Sequence, residues 1–519
     1  GFNTVKENER LCSVCLTRRI INKKPKELLG VDLETNFPSV VEIAVADFKY
    51  KLALKAKNNE VLKVKINELL NIIPEEFKHT STLPKVERAC SSSKISELAK
   101  VDGEMFFEEV IDNYSDSELL NNKEKIKKKL KELLEEAEKN DIPKPTQYLG
   151  FIYFDGDKMG EWISGTHKNY PILKELLHPI IKNTLESNPN YKKILDMVPP
   201  KTPATQSFIS STLLDFSLHI VRHITEQEHI GKLVYAGGDD VVIMAPLSEI
   251  LEIAKDIKEA FSKPAIIFED EKGRIGVSFE YYLENKIIKH SGKDIELKKG
   301  KHVYFSMGEK ASASAGICIA HFHNALTDSF NSASKAEKYA KDDLGRDALG
   351  ISLLKRSGEH SICGFKWLAL NKEECSKTNK DENTNNEEKG LNTLIKMLKD
   401  KLLSPSFITQ LYQEIDTLWE IQKKDENSNI NIDNILKQDK NIILDRVKYL
   451  AKRHIHCEKK DKDQNIELIK KALVNILNNS KVSDSDKWLE NFKNILNMLA
   501  FVARFQKIEI KKEEAVNVD

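Results

Sequence analysis

The chain has 519 residues, of which 40% are hydrophobic and 31% charged, and its 81 Lys and Arg are balanced by 81 Asp and Glu. At roughly 100–200 residues per domain that length holds about three or four domains. The composition excludes a disordered acidic tail and a basic coat for nucleic acid. Seven scattered cysteines form no disulfide framework and indicate a reducing, cytoplasmic setting. No apolar run reaches the ~18–20 residues of a membrane span, and the N-terminus lacks a signal-peptide profile.

The sequence opens on Gly1 rather than methionine and leads into Cys12-Ser13-Val14-Cys15. Two thiolates at this spacing make half of a tetrahedral zinc site, with free structural cysteines as the alternative, so 1–30 is read as a partial zinc element. His79 and Cys90 are the nearest other candidate ligands. Over 31–145 apolar residues recur at three and four, which predicts a helical domain. Its segment 121–138 carries a Lys-rich, then Glu-rich exterior around leucines, as a solvated amphipathic helix does. Pro143 and Pro145 break the pattern.

From 146 to 360 the pattern predicts an α+β domain on an antiparallel sheet. Strands are expected at 148–154, 275–283, 303–305 and 314–320, a hairpin at 232–236 and 241–245, and helices at 207–226, 251–262 and 329–341. The polar run 372–389 reads as a mobile loop. Helical spacing returns over 361–519, interrupted by a polar break at 425–434, with Trp367, Trp419 and Trp488 as packing anchors. That region is expected to make protein contacts.

Two acidic clusters carry the chemistry. Asp155-Gly156-Asp157 directly follows an apolar strand, and two carboxylates around a glycine can reach one hard cation. In Gly237-Gly238-Asp239-Asp240 the glycines predict a tight turn, and Asp240 runs straight into Val241-Val242-Ile243-Met244. Acids at the head of a buried strand cost desolvation unless they are paired or bind metal. Two such clusters in one domain suit a two-metal site for Mg²⁺. His321 and His323 share a strand face that could border such a site, whereas His454, His456 and Cys457 lie in a Lys/Arg-rich stretch that suits solvated or capping roles.

In chain order, Phe154-Asp155-Gly156-Asp157-Lys158-Met159-Gly160, Gly237-Gly238-Asp239-Asp240, Ser314-Ala315-Gly316-Ile317 and Ala336-Glu337-Lys338-Tyr339-Ala340-Lys341 are followed by Gly345-Arg346-Asp347-Ala348-Leu349 and Lys355-Arg356-Ser357-Gly358. This series resembles the palm domain of the large subunit of type III CRISPR effector complexes, in the Cmr (type III-B) branch. The resemblance implies a ferredoxin-like nucleotidyl-cyclase palm with a Gly-Gly-Asp-Asp hairpin, flanked by helical domains and the partial zinc element. It implies ATP as substrate with Mg²⁺ or Mn²⁺, and an adenylate second messenger, typically cyclic oligoadenylate, made when the complex binds target RNA.

The resemblance also implies roles for individual residues. Asp155, Asp157, Asp239 and Asp240 would hold metal, and Asp155, Asp239 and Asp240 would be catalytic. Gly237, Gly238, Ser314, Gly316 and Lys341 would line the nucleotide site, while Cys12 and Cys15 would bind Zn²⁺ together with a cysteine pair preceding Gly1. Partners would be other Cmr-type subunits, crRNA and target RNA. The interval from Lys341 to Arg346 is one residue longer than the usual cyclase pattern. No His-Asp dipeptide occurs, so the HD nuclease of many family members is not expected in these residues. The alternatives are AMP transfer to a different small-molecule acceptor, a stand-alone cyclase or polymerase, and a catalytically silent scaffold.

Overall fold

A computed structural model of the chain describes residues 37–113, 117–263, 302–370, 390–400, 402–423, 445–456, 459–482 and 485–505, the short strands between 265 and 296, and isolated residues between 12 and 30. Ser39 starts helix α1 (Val40–Ala56) by accepting the Glu42 N–H at 3.1 Å, and Asn59 caps α2 (Glu60–Leu70) in the same way through the Leu62 N–H. Pro84 opens α3 (Pro84–Ser92), where its missing N–H costs nothing. The charged helix of the sequence is α4 (Ser117–Lys139), and Lys123, Lys127, Lys129 and Lys139 on it are ion-paired. Lys129 and Lys65 form a four-membered ion network with Glu68 and Glu132 that joins α2 to α4, with contacts of 2.8–3.2 Å.

A six-stranded sheet forms the centre of the molecule. In chain order its strands are β1 (Tyr148–Gly156), β2 (Lys232–Gly237), β3 (Asp240–Pro246), β4 (Ala313–His321), β5 (Ala348–Leu354) and β6 (His360–Lys366), arranged β6-β5-β4-β1-β3-β2. Between β1 and β2 runs α5 (Pro203–Asp215), continued by π-helical turns at Phe216–Ile220 and Ile224–Glu228 where one regular helix is expected. Helix α6 (Ile250–Ser262) follows β3, and α7 (Leu326–Asp342) links β4 to β5.

The expected all-antiparallel sheet is corrected by one pair. β4 and β5 run parallel, because a crossover helix returns the chain in its starting direction. The expected strand at 275–283 is instead two short strands, Ile275–Ser278 and Tyr281–Tyr282, in separate three-stranded sheets. Strands β5 and β6 have no counterpart in the sequence reading, and β6 begins at the position where the domain was expected to end.

Alternation along β1 divides the core. Leu149 and Phe151 face α1 and α7, with Phe151 edge-on to Phe330 at 5.1 Å, while Ile152 and Phe154 face α5, its π-helical continuation and α6. The C-terminal helices α8 (Leu391–Lys399), α9 (Pro405–Lys423), α10 (Lys459–Asn479) and α11 (Ser485–Phe505) join the second core. Trp367 and Trp488 are buried there, and Trp367 donates its indole N–H to the Ala313 carbonyl at 2.8 Å. The polar runs 372–389 and 425–434 and the side chain of Trp419 lie outside the described residues. Among the described residues no helix is long and apolar enough to cross a membrane.

Asn491 on α11 closes the free edge of β6. Its amide accepts the Gly364 N–H at 2.7 Å and donates to the Gly364 and Ser480 carbonyls at 2.8 Å each, while Asn494 donates to the Ile362 carbonyl at 3.0 Å. Side-chain amides thus take the place of a seventh strand.

Two buried charge clusters yield stability predictions. Lys49 and Glu42 pair at 2.7 Å with both side chains fully buried, and Lys49 also donates to the Val101 carbonyl while Thr82 donates to Glu42. Burial raises the Glu42 carboxyl pKa even though Lys49 and Thr82 pull it down. Lys49→Met alone strands the carboxylate and should cost about 3–5 kcal/mol in denaturant melts, with much of the loss restored by adding Glu42→Leu. His229 bridges Glu249 at 2.9 Å and Asp256 at 2.8 Å, tying the end of the π-helical segment to α6. Burial opposes its protonation, but the two carboxylates win and lift its pKa from 6.5 to about 9. The bridge therefore stabilises fully below the unfolded value and is lost as pH rises through about 9. Melting temperature should fall between about pH 7 and pH 9 by more in the wild type than in His229→Gln.

Candidate functional site

The acidic residues meet at one end of the sheet because of strand register. β1 pairs antiparallel with β3 through Tyr153↔Val242 and Phe154↔Val241, and one further step sets Asp155 opposite Asp240. On its other side Asp155 pairs with Ser314. The turn between β2 and β3 is two residues long, with Gly238 at φ 68° in its first position, the place a II′ hairpin reserves for glycine. Asp239 is the second turn residue and leans over Gly156. A Cβ on Gly156 would lie 3.0 Å from the Asp239 Oδ2 and 2.6 Å from the Met159 side chain, so a bare backbone is required there.

Three carboxylates therefore share one small volume, with Asp155 close enough to Asp239 and Asp240 to raise the pKa of both. Burial, then the neighbouring Asp155 and Asp240 charges, lift Asp239 from the usual carboxylate range to about 6. Burial and Asp155 raise Asp240 as well, with Lys341 opposing. Lys341, on the last turn of α7, is the cation that meets them. It is mostly buried, bonded to Asp155 and, at 2.5 Å, to Glu337 one turn earlier. Burial works against the Lys341 charge, but Asp155 and Glu337 outweigh it and raise its pKa. The part of Glu337 was not read from sequence, although its i,i+4 spacing to Lys341 was the available signal.

Asp157 stands apart from this trio. It is 1% exposed and accepts the Ser312 hydroxyl at 2.8 Å, the Ser314 hydroxyl at 2.8 Å and the Asp347 N–H at 2.9 Å, with the Arg346 guanidinium at 3.7 Å. Ser314 is fully buried and turned to Asp157, and Gly316 lies under α7. A Cβ at Gly316 would meet the Ala333 carbonyl at 2.0 Å and the Glu337 nitrogen at 2.2 Å. Both residues expected in the nucleotide pocket are thus packed beneath the site instead of opening into it. Gly237 sits below the Tyr235 ring. His321 and His323 fall at the far end of β4, seven residues from Ser314, where His321 contacts Gln147 at 3.0 Å, so they do not border the acids. His454 contacts Gln410 at 2.9 Å. Cys12 is exposed, and Cys15 lies outside the described residues.

Among the described residues no group of three or more His, Cys, Asp or Glu is set as a ready ligand cage. The donor chemistry nonetheless suits a hard divalent cation. Asp155, Asp239 and Asp240 bring only carboxylate oxygens, hold more negative charge than Lys341 balances, and two of them have raised pKa values, which a cation would reverse.

Residues 148–286 match the family described as Cas10/Cmr2, second palm domain. The chain is 28% identical over 367 residues to the CRISPR system Cmr subunit Cmr2 of Pyrococcus furiosus, covering 70% of this chain and 34% of that protein. Its fold resembles a chain of the type III-B Cmr-beta complex solved in the apo state, with TM-score 0.50, 15% identity, and coverage of 97% of this chain and 52% of that one. The same complex bound to cognate target RNA gives TM-score 0.48 at 16% identity, covering 92% and 53%. The chain thus spans about a third of the curated relative and about half of each solved chain.

The crowding of like charges makes a prediction. A folded-state pKa above the unfolded value means that ionised Asp239 opposes folding, increasingly as pH rises from 3.8 through about 6. In EDTA at pH 7, Asp239→Asn should raise the melting temperature, and the gain should shrink below about pH 5. A lowered melting temperature at pH 7 would contradict the crowding.

Proposed function

We propose that this chain is the nucleotidyl-transferring palm region, with its flanking helical parts, of the large subunit of a type III-B CRISPR effector. It would use ATP to build an adenylate second messenger, a cyclic oligoadenylate, in response to target RNA. The observation that carries this reading is the convergence of Asp155, Asp239 and Asp240 with Lys341 at the hairpin end of the sheet. The β-α-β-β-α-β path with strand order β4-β1-β3-β2 is the ferredoxin-like split arrangement, and it supports a cyclase-type palm. The family match over 148–286 and the likeness to Cmr2 point to the same assembly.

Asp155, Asp239 and Asp240 would hold Mg²⁺ or Mn²⁺. Bound there, the cation supplies charge neutralisation for a triphosphate and acidifies an attacking 3′-hydroxyl. The chain's own residues do the positioning. The short hairpin keeps Asp239 and Asp240 at the rim, where a nucleotide can approach. Gly156 leaves room for Asp239 to lean inward, and Lys341 pairs with Asp155 and adds positive charge beside the path of the leaving pyrophosphate. Other Cmr-type subunits, crRNA and target RNA are the proposed partners, with RNA binding shifting the population toward the competent palm. A structural Zn²⁺ on Cys12 and Cys15 belongs to the same reading.

The test is the reconstituted complex with guide RNA, target RNA and labelled ATP. Asp239→Ala with Asp240→Ala should lower product formation by more than about a hundredfold while assembly and RNA binding stay intact. Undiminished turnover in that variant removes the site, and a wild-type complex that forms no adenylylated product with any acceptor makes the chain a scaffold.

A further inference from the structure

The buried carboxylate of Asp157 has more donors than a metal ligand can spare. Two hydroxyls and one backbone N–H, from Ser312, Ser314 and Asp347, reach its two oxygens at 2.8–2.9 Å, and its own N–H continues the β1–β4 ladder to the Ser312 carbonyl at 2.9 Å. These donors come from positions 155 to 190 residues away in sequence, so Asp157 ties the end of β1 to the segment after α7.

That segment is strained. Gly345, Arg346 and Asp347 are successive left-handed residues with φ 70°, 65° and 48°, and two of the three carry a side chain. Such a run persists only where its surroundings over-determine it. Here Asp157 holds the Asp347 N–H, the Arg346 N–H reaches the Ala340 carbonyl at 3.0 Å, Lys366 donates to the Gly345 and Arg346 carbonyls, and Lys258 pairs with Asp347 at 3.2 Å. Among the described residues the cations nearby are therefore spoken for: Lys341 by Asp155 and Glu337, Lys366 by carbonyls, Lys258 by Asp347. Arg346 differs, because its recorded ionic partner lies at 3.7 Å and already accepts three shorter bonds. A guanidinium has five N–H donors, and its side chain here is 36% exposed.

We propose that Asp157 is a positioning residue and not a metal ligand: it locks the left-handed turn Gly345-Arg346-Asp347 so that the Arg346 guanidinium meets the polyphosphate of the bound nucleotide. The inference rests on the nucleotide reading given above. Asp155 and Asp157 straddle Gly156, so one strand end divides its two acids between cation and scaffold. The longer interval from Lys341 to Arg346 is taken up by this turn.

The experiment uses the full chain and two equilibrium readouts, Mn²⁺ alone by electron paramagnetic resonance titration and ATP with Mn²⁺ by equilibrium dialysis. Asp157→Asn should keep Mn²⁺ affinity within about twofold of wild type, whereas Asp155→Asn should lose about tenfold or more. ATP affinity should drop about tenfold in Asp157→Asn and in Arg346→Ala, and the double variant should be no weaker than Arg346→Ala, since both remove one contact. Arg346→Lys should recover only part of the loss, because a point charge does not reproduce the guanidinium fork. Loss of Mn²⁺ in Asp157→Asn to the extent seen in Asp155→Asn overturns the proposal, as does additivity of the two ATP effects. If Asp157→Asn fails to fold, unchanged ATP affinity in Arg346→Ala overturns it equally. A wild-type chain that binds ATP but forms no adenylylated product in the complex contradicts the transfer reading alone, and the role of Asp157 is still decided by the two affinities.

Discussion

Asp155 and Asp240 face each other across neighbouring strands of a hydrogen-bonded sheet, an arrangement that like charges disfavour. Much of the architecture around them maintains it. The apolar ladder of β1 and β3 fixes the register, since a slip of one residue would turn Phe151, Ile152 and Phe154 to the wrong faces. A two-residue turn allows no slack, and Asp239 is pressed against a glycine because nothing larger fits. Lys341 supplies one positive charge from α7, short of what three carboxylates call for. The crowded like charges therefore oppose one another until a proton or a cation neutralises them.

The acidic trio was legible because of where it stands. Acids directly after or before buried apolar strands have few explanations, and Asp155, Asp239 and Asp240 all met that test. Asp157 was grouped with them on a spacing of two, which places side chains on one face but says nothing of what comes to meet them. Its partners Ser312, Ser314 and Asp347 come from distant sequence, and that information appears only in the folded chain. The resemblance implies a nucleotide pocket at Ser314 and Gly316, but packing turns Ser314 to Asp157 and sets Gly316 under α7. The helices α4, α6 and α7 were visible from their periodicity. Strands β5 and β6 were not, because Gly350 and Gly364 interrupt their apolar runs, and the parallel pairing of β4 with β5 leaves no trace in local pattern.

The C-terminal helices do more than add mass. Asn491 and Asn494 reach the backbone of β6 directly, so the sheet cannot extend on that side while α11 is in place. At the opposite edge, β2 carries a bulge between Leu233 and Tyr235, a second means of discouraging strand addition. Val234 and Tyr235 remain exposed at that edge, next to the hairpin that carries Asp239 and Asp240.

Helix α7 rests on two glycines. A methyl group at Gly316 would overlap the Ala333 carbonyl, and one at Gly350 would overlap the Ala336 carbonyl, each at 2.0 Å. Backbone lies on backbone with no side chain between to yield, so α7, β4 and β5 must move as one piece. Lys341 is carried by that piece, whereas Asp155 belongs to the adjoining strand. The separation between lysine and acid is therefore governed by a steric stop one to two helical turns before Lys341, and a single carbon atom added at Gly316 would act on the electrostatics of the acidic end as a shim acts on a bearing.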